Sequence, residues 1–214
     1  MLTMRPYPDR AAAGRVLAEE LGEVAGSVLV LGLARGGVPV AAPVADALGA
    51  KLDVLIVRKL GLPQQPELAM GAIAGVGGYT HTVRNEPVLA EAGEHALADV
   101  LEEETRELRR REQAYRGDRP AIDVRGKVVI LVDDGLATGS TMRAAVAAVR
   151  RQDPARVIVA VPVGGSEGCR RLALVADEVV CVWKPLYYTA VGQAYRDFSP
   201  VEDEEVRRIL AERS

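Results

Sequence analysis

Two adjacent carboxylates are followed in the sequence by a short turn rich in hydroxyl groups. The carboxylates are Asp133 and Asp134. The turn consists of Ala137, Thr138, Gly139, Ser140 and Thr141. Paired carboxylates repel anions, but they accept hydrogen bonds from hydroxyl groups and bind hydrated Mg²⁺. Free backbone N–H groups at a turn that opens a helix attract a phosphate instead. The two halves together suit a sugar with a phosphate at one end and a vicinal diol, such as ribose 5-phosphate.

The flanking residues predict a strand before the carboxylates and a helix after the turn. Residues 128–132 are five consecutive apolar residues, four of them β-branched, which is typical of a strand covered on both faces. Residues 142–151 have the alanine-rich composition of a helix. Because ligands bind beyond the carboxyl ends of the strands in open α/β sheets, we expect the carboxylates and the turn to line a ligand site.

Two other predicted strands end in residues that suit an anion. The strand at 27–33 runs into a glycine turn before a helix at 38–48, and the strand at 52–57 is followed by two cations. The residues concerned are Arg35, Gly36, Gly37, Arg58 and Lys59. Backbone N–H groups and basic side chains at the same edge of the sheet would neutralise an anion. The alternatives are an ordinary strand-to-helix turn and solvated charges at a strand exit.

Residues 128–141 resemble the fingerprint of the type I phosphoribosyltransferases. The shared features are four apolar residues, two acidic residues, two mostly apolar residues and a small-residue turn rich in threonine. Gly135 departs from this pattern, because the family usually has an aliphatic residue or serine there, and we expect a more flexible loop. The alternative is an ordinary turn with a solvated aspartate pair and a threonine cap.

The resemblance implies transfer of a phosphoribosyl group from 5-phosphoribosyl 1-diphosphate (PRPP) to a nucleobase-like nitrogen, with release of diphosphate. Asp133 and Asp134 would be catalytic, and the turn at 137–141 would bind the 5-phosphate. Arg35, Arg58 and Lys59 would bind the diphosphate together with the Gly36–Gly37 turn, where the family often has a non-proline cis peptide. Mg²⁺ would be held mainly by PRPP, near the two aspartates.

The acceptor base is less constrained by the sequence. Ala137 stands where enzymes for 6-oxopurines carry an aspartate, which argues against hypoxanthine and guanine. The run at 58–63, RKLGLP, resembles adenine enzymes, yet no matching acceptor carboxylate is evident. Trp183, at the end of the last predicted strand, could stack on a base or anchor the tail. The chain also resembles bacterial phosphoribosyltransferase-like proteins whose acceptor is not assigned, and a non-catalytic sensor of PRPP or a nucleotide is the alternative function.

The order of the predicted elements indicates an α/β fold of three layers. We expect a central, mostly parallel five-stranded sheet with flanking helices, as in the type I phosphoribosyltransferases. The prediction is one domain over residues 1–214, with a flexible loop or hairpin at 64–85 and a C-terminal hood or tail at 184–214. A chain of 214 residues is long enough for one such domain with a full core.

The composition indicates a globular protein with no bulk attraction to nucleic acid. Apolar residues make up 49% and charged residues 27%, and the net charge is −3. Cys169 and Cys181 lie in unlike contexts and indicate neither a metal site nor a disulfide framework. The amino terminus lacks an apolar signal core, and no stretch reaches the ~18 apolar residues of a membrane span. We therefore expect a cytoplasmic protein. We also expect a homodimer, and the family resemblance implies that it binds PRPP and a nucleobase-like molecule.

Overall fold

A seven-stranded sheet lies at the centre of the computed structural model, which describes residues 6–76 and 78–213. The strands are β1 (Val28–Leu33), β2 (Lys51–Leu62), β3 (Gln65–Val76), β4 (Tyr79–Arg84), β5 (Val128–Val132), β6 (Arg156–Val163) and β7 (Glu178–Trp183). The helices are α1 (Arg10–Leu21), α2 (Gly37–Leu48), α3 (Glu86–Ala92), α4 (Glu94–Arg116), α5 (Ser140–Arg150), α6 (Ser166–Leu172) and α7 (Asp203–Ala211). The ends of the predicted domain, residues 1–5 and 214, lie outside the described residues.

Alternate side chains of the central strands pack into two separate cores, one on each face of the sheet. On β5, Ile130 and Val132 pack into the core that includes helices α1, α2, α4 and α7. Val129 and Leu131 pack into the other core, together with residues of α5 and α6. Because successive side chains of a strand point to opposite faces, a continuous apolar run such as β5 is needed between two helical layers. The three-layer α/β fold is confirmed.

The sheet has seven strands rather than the predicted five. The order is β4-β3-β2-β1-β5-β6-β7, and the five strands from β2 to β7 in this order are parallel. The two extra strands, β3 and β4, pair antiparallel with β2 and with each other. They come from the region predicted as a loop or hairpin, residues 64–85. The prediction fell short because β2 continues beyond Val57 to Leu62, where a tight turn returns the chain along β3.

The helical stretch after β4 is divided in two. Gly93 has φ of +84°, in the left-handed region that favours glycine, and it separates α3 from α4. Helix α4 then runs along β2 and β3. The amphipathic pattern of this stretch is continuous across Gly93, so the apolar spacing alone does not indicate the break.

The chain segment after β7, residues 184–202, folds back over the end of β6 and meets the start of the chain; we call it the tail. The backbone N–H of Tyr7 donates to the carbonyl of Ala194 at 2.8 Å, and Arg196 N–H donates to the carbonyl of Tyr7 at 2.8 Å. Tyr7, Val163 and Tyr195 share a small third core. The first described residues therefore lie with the tail at the carboxyl edge of the sheet. Across the described residues, none of the helices has the length and apolar character needed to span a bilayer.

Candidate active site

The two predicted catalytic carboxylates lie directly beyond the carboxyl end of β5. The Asp133 Oδ1 atom accepts a hydrogen bond from the backbone N–H of Asp134 at 2.9 Å. The Asp134 Oδ2 atom accepts a hydrogen bond from Arg10 Nε at 2.9 Å, and this ion pair is largely buried. The backbone carbonyl of Asp134 accepts from the Tyr195 hydroxyl at 2.5 Å. The pair is thus fixed by its own backbone, by α1 and by the tail.

The glycine turn between β1 and α2 touches the carboxylate pair. Strands β1 and β5 are parallel neighbours, with Gly32 opposite Val132, so their carboxyl ends meet. A Cβ atom on Gly36 would lie 2.2 Å from Asp134 Oδ2, and one on Gly37 would lie 2.5 Å from the carbonyl oxygen of Val132. No side chain fits at either position. The peptide bond between Ala34 and Arg35 is cis, the feature that the family resemblance implied for this turn.

The turn predicted to bind a phosphate is anchored at one end and open at the other. Leu136 is buried, donates its N–H to the carbonyl of Val163 and accepts from Gly165 N–H, which extends the β5–β6 pairing into the turn. Ala137, Thr138 and Ser140 are exposed. Gly139 has φ of +79° and directly precedes α5. The exposed residues of the turn therefore lie at the amino-terminal end of that helix.

The hydroxyl groups of the turn and the first residues of α5 face solvent. The Oγ1 atom of Thr138 and the Oγ atom of Ser140 lie 3.1 Å apart, and Thr141 is exposed on the first turn of the helix. A helix amino terminus presents N–H groups and positive potential to an anion. Helix α6 supports the turn from behind, since a Cβ on Gly168 would lie 3.1 Å from the carbonyl oxygen of Ala137.

Burial disfavours negative charge on both carboxyl groups. Burial, followed by the charge of Asp134, raises the pKa of Asp133 well above its usual value. Burial also raises the pKa of Asp134, although the hydrogen bond and positive charge of Arg10 act in the opposite direction. Such a pair gains stabilisation when hydroxyl donors or a cation arrive, and therefore favours a ligand that brings them.

Comparison with known proteins places the chain in a family. A family model described as a phosphoribosyl transferase domain matches residues 8–184, a range that includes both strand-to-helix turns of the site. This chain belongs to the phosphoribosyl transferase family. The predicted resemblance to phosphoribosyltransferases is confirmed.

Three relatives are similar to this chain over nearly its whole length. A Mycobacterium tuberculosis protein (strain H37Rv) named as a putative phosphoribosyl transferase is 45% identical over 209 residues, covering 97% of this chain and 47% of that protein. A protein of strain CDC 1551 with the same description matches to the same extent. The crystal structure of TT1426 from Thermus thermophilus superposes with a TM-score of 0.84 at 44% identity and covers 99% of this chain and 100% of that chain. The chain spans about half the length of the curated relatives.

Two of the three cations predicted to bind diphosphate, Arg35 and Arg58, pair with carboxylates of other elements. Arg35 Nη1 lies 3.6 Å from Asp203 Oδ1 and 3.8 Å from Glu202 at the start of α7. Arg58 Nε donates to Glu104 of α4 at 2.5 Å. Arg58 and Lys59 lie inside β2 rather than beyond its end, because that strand is longer than predicted. The structure thus brings the glycine turn, but not the Arg58 side chain, against the carboxylate pair.

Gly135 is packed against the tail. It is buried, and a Cβ there would lie 2.5 Å from Val191 Cγ1 and 3.1 Å from the Tyr188 hydroxyl. Sequence reasoning attributed this glycine to loop flexibility, whereas the structure shows a requirement for space. The Tyr188 hydroxyl is buried and has no hydrogen-bond partner among the described residues. The tail therefore covers the position next to the carboxylates.

Trp183, the candidate for stacking on a base, lies at the end of β7 and is partly buried. Its side chain packs against the small core formed by Tyr7, Val163 and Tyr195, and its backbone carbonyl accepts from Gly164 N–H at 3.0 Å. This placement includes the anchoring contacts that were the alternative interpretation. Stacking on a base stays a prediction.

Sequence reasoning missed Arg10 and Tyr195, which bind Asp134 through its side chain and its backbone. Arg10 is the first residue of α1 and lies 124 positions before Asp134 in the chain. No local pattern indicates such a pairing. Tyr195 had a weaker signal, because the tail is rich in aromatic residues in a chain with only 4% aromatic content.

Asp133 and Asp134 would suit a magnesium ion that takes most of its ligands from a bound diphosphate. Asp133 and Asp134 provide carboxylate oxygens of the type that Mg²⁺ prefers, but Arg10 already neutralises part of their charge. Within the described ranges 6–76 and 78–213, no cluster of three or more His, Cys, Asp or Glu side chains could hold a metal by itself. The two aspartates could therefore supplement, but not replace, ligands from a diphosphate.

A large cavity elsewhere in the molecule contains none of the predicted site residues. Its volume is about 690 Å³. It is lined by Tyr79, Thr80, His81, Ala121, Asp123, Arg125, Ala148, Arg151 and Gln152. These residues belong to β4, the end of α5 and the loop before β5. The candidate active site is thus identified by its chemistry and family match rather than by cavity size.

Proposed function

We propose that this chain transfers the 5-phosphoribosyl group of PRPP to a nucleobase-like nitrogen acceptor and releases diphosphate. The observation that carries the proposal is the direct contact between the Asp133–Asp134 pair and the Gly36–Gly37 turn. One element suits ribose hydroxyls and the other suits a diphosphate. The phosphate turn at 137–141 starts within three residues of the acids, so all three parts of PRPP have a counterpart.

The reaction forms a bond between the anomeric carbon and the acceptor nitrogen and breaks the bond to the diphosphate oxygen. The nitrogen loses its proton, and diphosphate leaves with the electron pair of the broken bond. Positive charge develops on the sugar in such a substitution, as in glycoside cleavage. The Asp133 and Asp134 carboxylates would accept hydrogen bonds from the ribose hydroxyls. Their negative charge would also stabilise the positive charge on the sugar.

The phosphate turn would contribute by positioning the sugar. Thr138, Ser140 and Thr141 expose hydroxyl donors at the start of α5, where a 5-phosphate would fix one end of the ribose. Remote binding energy of this kind is converted into orientation at the reacting carbon. Mg²⁺ bound with PRPP would neutralise charge on the departing diphosphate, and Asp133 and Asp134 are the residues that would lie beside it.

A purine-like base other than a 6-oxopurine fits the acceptor side best. Ala137 offers no carboxylate for a ring nitrogen, and its exposed position in the turn leaves that side of the site without an acid. Trp183 is the aromatic candidate for contact with the base. Movement of the tail away from Gly135 would open space for it, because Tyr188 and Val191 lie there in this structure.

A non-catalytic sensor of PRPP or a nucleotide is the second candidate. It is favoured by the ion pairs of Arg35 and Arg58 with carboxylates of α7 and α4, which occupy the cations that would stabilise diphosphate. A sensor needs affinity for the ligand but no stabilisation of a leaving group. The sensor and the transferase share the sugar-phosphate site and differ only in turnover.

An acceptor screen tests the proposal and separates the two candidates. The purified chain would be mixed with Mg²⁺ and PRPP, and released diphosphate would be measured against a panel of purine and pyrimidine bases. Base-dependent release in the wild type that is lost in Asp134→Asn supports the transferase. Binding of PRPP without release for any base supports the sensor, and the absence of PRPP binding contradicts both.

We propose a homodimer in the cytoplasm that acts on small molecules and not on nucleic acid. Size-exclusion chromatography with light scattering, performed on the purified chain, would test the dimer.

A further inference from the structure

Arg10 is held at the site by four different groups. Its Nε donates to Asp134 Oδ2 at 2.9 Å, and its Nη1 donates to the backbone carbonyl of Ser199 at 2.8 Å. The guanidinium carbon lies 4.1 Å from the ring centroid of Phe198 and 5.9 Å from that of Tyr195. A side chain held by an ion pair, a carbonyl and two aromatic rings has little freedom to reorient.

The same tail residues also support Asp134 directly. Tyr195 donates its hydroxyl to the Asp134 carbonyl and stacks on Phe198, with ring centroids 5.2 Å apart. Asp134 is therefore fixed at its backbone by Tyr195 and at its carboxylate by Arg10. Gly36 packs against the Asp134 carboxylate, since a Cβ there would overlap Asp134 Oδ2.

We propose that Arg10 is a positioning residue that holds the Asp134 carboxylate in the orientation needed to accept a hydrogen bond from a ribose hydroxyl. This inference rests on the proposed function, because it assigns a role within the same sugar-phosphate site. It adds helix α1 and the tail to the ribose-binding machinery, although both lie outside the strand-to-helix turns.

The geometry leaves one carboxylate oxygen for the ligand. Arg10 donates to Asp134 Oδ2, whereas no side chain of the described residues donates to Asp134 Oδ1. A carboxylate has enough lone pairs for further donors. With Oδ2 held between Arg10 and Gly36, rotation of the carboxylate is restricted and Oδ1 keeps a fixed direction. Removing Arg10 would release that constraint and leave a largely buried carboxylate without its cation.

The contribution of Arg10 is measurable through selectivity for the sugar hydroxyls. Isothermal titration would compare ribose 5-phosphate with its 2-deoxy and 3-deoxy analogues in wild type and in Arg10→Gln. We expect the wild type to prefer the full sugar over at least one analogue by about tenfold or more, the effect of a hydrogen bond to a charged group. In Arg10→Gln that ratio should fall to about two- or threefold, with the affinity for that analogue unchanged.

Two matched variants separate positioning from general loss of structure. Arg10→Lys keeps the charge and should restore part of the selectivity. Arg15→Gln removes an exposed arginine from the same helix and should leave the ratio at the wild-type value. Thermal unfolding of all variants, measured in parallel, would show whether each remains folded under the titration conditions.

The possible outcomes distinguish this inference from the proposed function. Wild type that binds none of the sugar phosphates contradicts the proposed function itself. Wild type that is selective, with an Arg10→Gln variant that keeps the same ratio, overturns the positioning role alone. Equal weakening of all three ligands in Arg10→Gln also overturns it, because Arg10 would then act on the phosphate or on folding and not through Asp134.

Discussion

The carboxylate side and the cation side of the site are built differently. Asp133 and Asp134 are fixed by buried backbone, by Arg10 and by the glycine turn, in an arrangement with no room for a side chain on Gly36. The cations predicted for diphosphate lie on a longer strand or a partly exposed turn, and Arg35 and Arg58 pair with carboxylates of other helices. One side is organised before a ligand arrives, whereas the other has to exchange partners.

This difference indicates how much each side of the site would contribute to ligand binding. A preformed ribose site gives orientation without reorganisation when the ligand binds. Cations that are already paired give up those contacts to reach a diphosphate, so their net contribution to binding is reduced. We therefore expect substitutions on the carboxylate side to have much larger effects on PRPP binding than substitutions on the cation side.

The largest effect is expected from Gly36→Ala. The new methyl group would lie 2.2 Å from Asp134 Oδ2 and has to displace either the carboxylate or the turn. Displacement of about 1 Å in a site of this kind costs on the order of 100-fold in reaction rate, and we expect the PRPP affinity measured by calorimetry to fall as well. Gly49→Ala, at the other end of α2, is the control: no atom lies within 4 Å of its added Cβ, and the strain of alanine at its φ of +58° arises away from the site. Equal affinities for the two variants would contradict the contact.

Gly139→Val should have the next largest effect. Its φ of +79° is strained for a β-branched residue, at a cost of about 1–3 kcal/mol. We expect the turn to shift and the affinity for ribose 5-phosphate to fall by about 10- to 100-fold, as titration would show. Gly126→Val carries the same kind of strain, with φ of +68°, at a position outside the site. Loss of binding in that control as well would point to folding rather than to the turn.

Asp133→Asn should stabilise the protein without ligand while it weakens the ribose site. The raised pKa means that the folded protein favours the protonated carboxyl, so wild-type stability is greatest at low pH and falls as the pH rises from the ordinary aspartate value toward that raised pKa. Asparagine remains neutral and keeps its oxygen for the Asp134 N–H. The variant should therefore unfold at a higher temperature near pH 7.5, by about 2–4 °C per kcal/mol gained.

Thermal unfolding as a function of pH checks this prediction. The advantage of the asparagine variant should shrink as the pH is lowered and vanish near the ordinary aspartate value of 3.8. A constant difference in unfolding temperature across the pH range would show that the Asp133 charge is not the cause. Such a result would mean that the buried charge of Asp133 does not lower the stability of the folded protein near neutral pH.

The smallest effect is expected from Arg58→Gln. Because Arg58 is already paired with Glu104, we expect its loss to weaken binding of inorganic diphosphate by less than about threefold, in the range of a partly exposed ion pair. Titration with inorganic diphosphate and Mg²⁺ measures this. A loss of tenfold or more would show that Arg58 leaves Glu104 for the ligand, and the two sides of the site would then be alike.

The parts of the site that follow from local pattern were predictable from sequence. The apolar run of β5, the acids that follow it and the small residues before α5 are contiguous, so their order alone indicates a strand, a ligand turn and a helix. The parallel core of the sheet follows from the same pattern repeated in β1 and β6. These features depend on neighbours in the chain.

Features that depend on distant contacts were not predictable. Arg10 reaches Asp134 across the sequence, and Gly135 is required by Val191 and Tyr188, which come more than 50 positions later. The extension of β2 depends on pairing with β3 and not on its own composition. Tertiary packing of this kind leaves no periodic signal in the segment concerned.

Calorimetric titration of PRPP with Mg²⁺ into the wild-type chain tests the central claim most directly, when it is repeated in the presence of ribose 5-phosphate. We predict one site per chain, with affinity for PRPP that falls as ribose 5-phosphate competes for the acids and the phosphate turn. The absence of binding, or binding that ribose 5-phosphate does not reduce, would contradict a sugar-phosphate site at the end of β5.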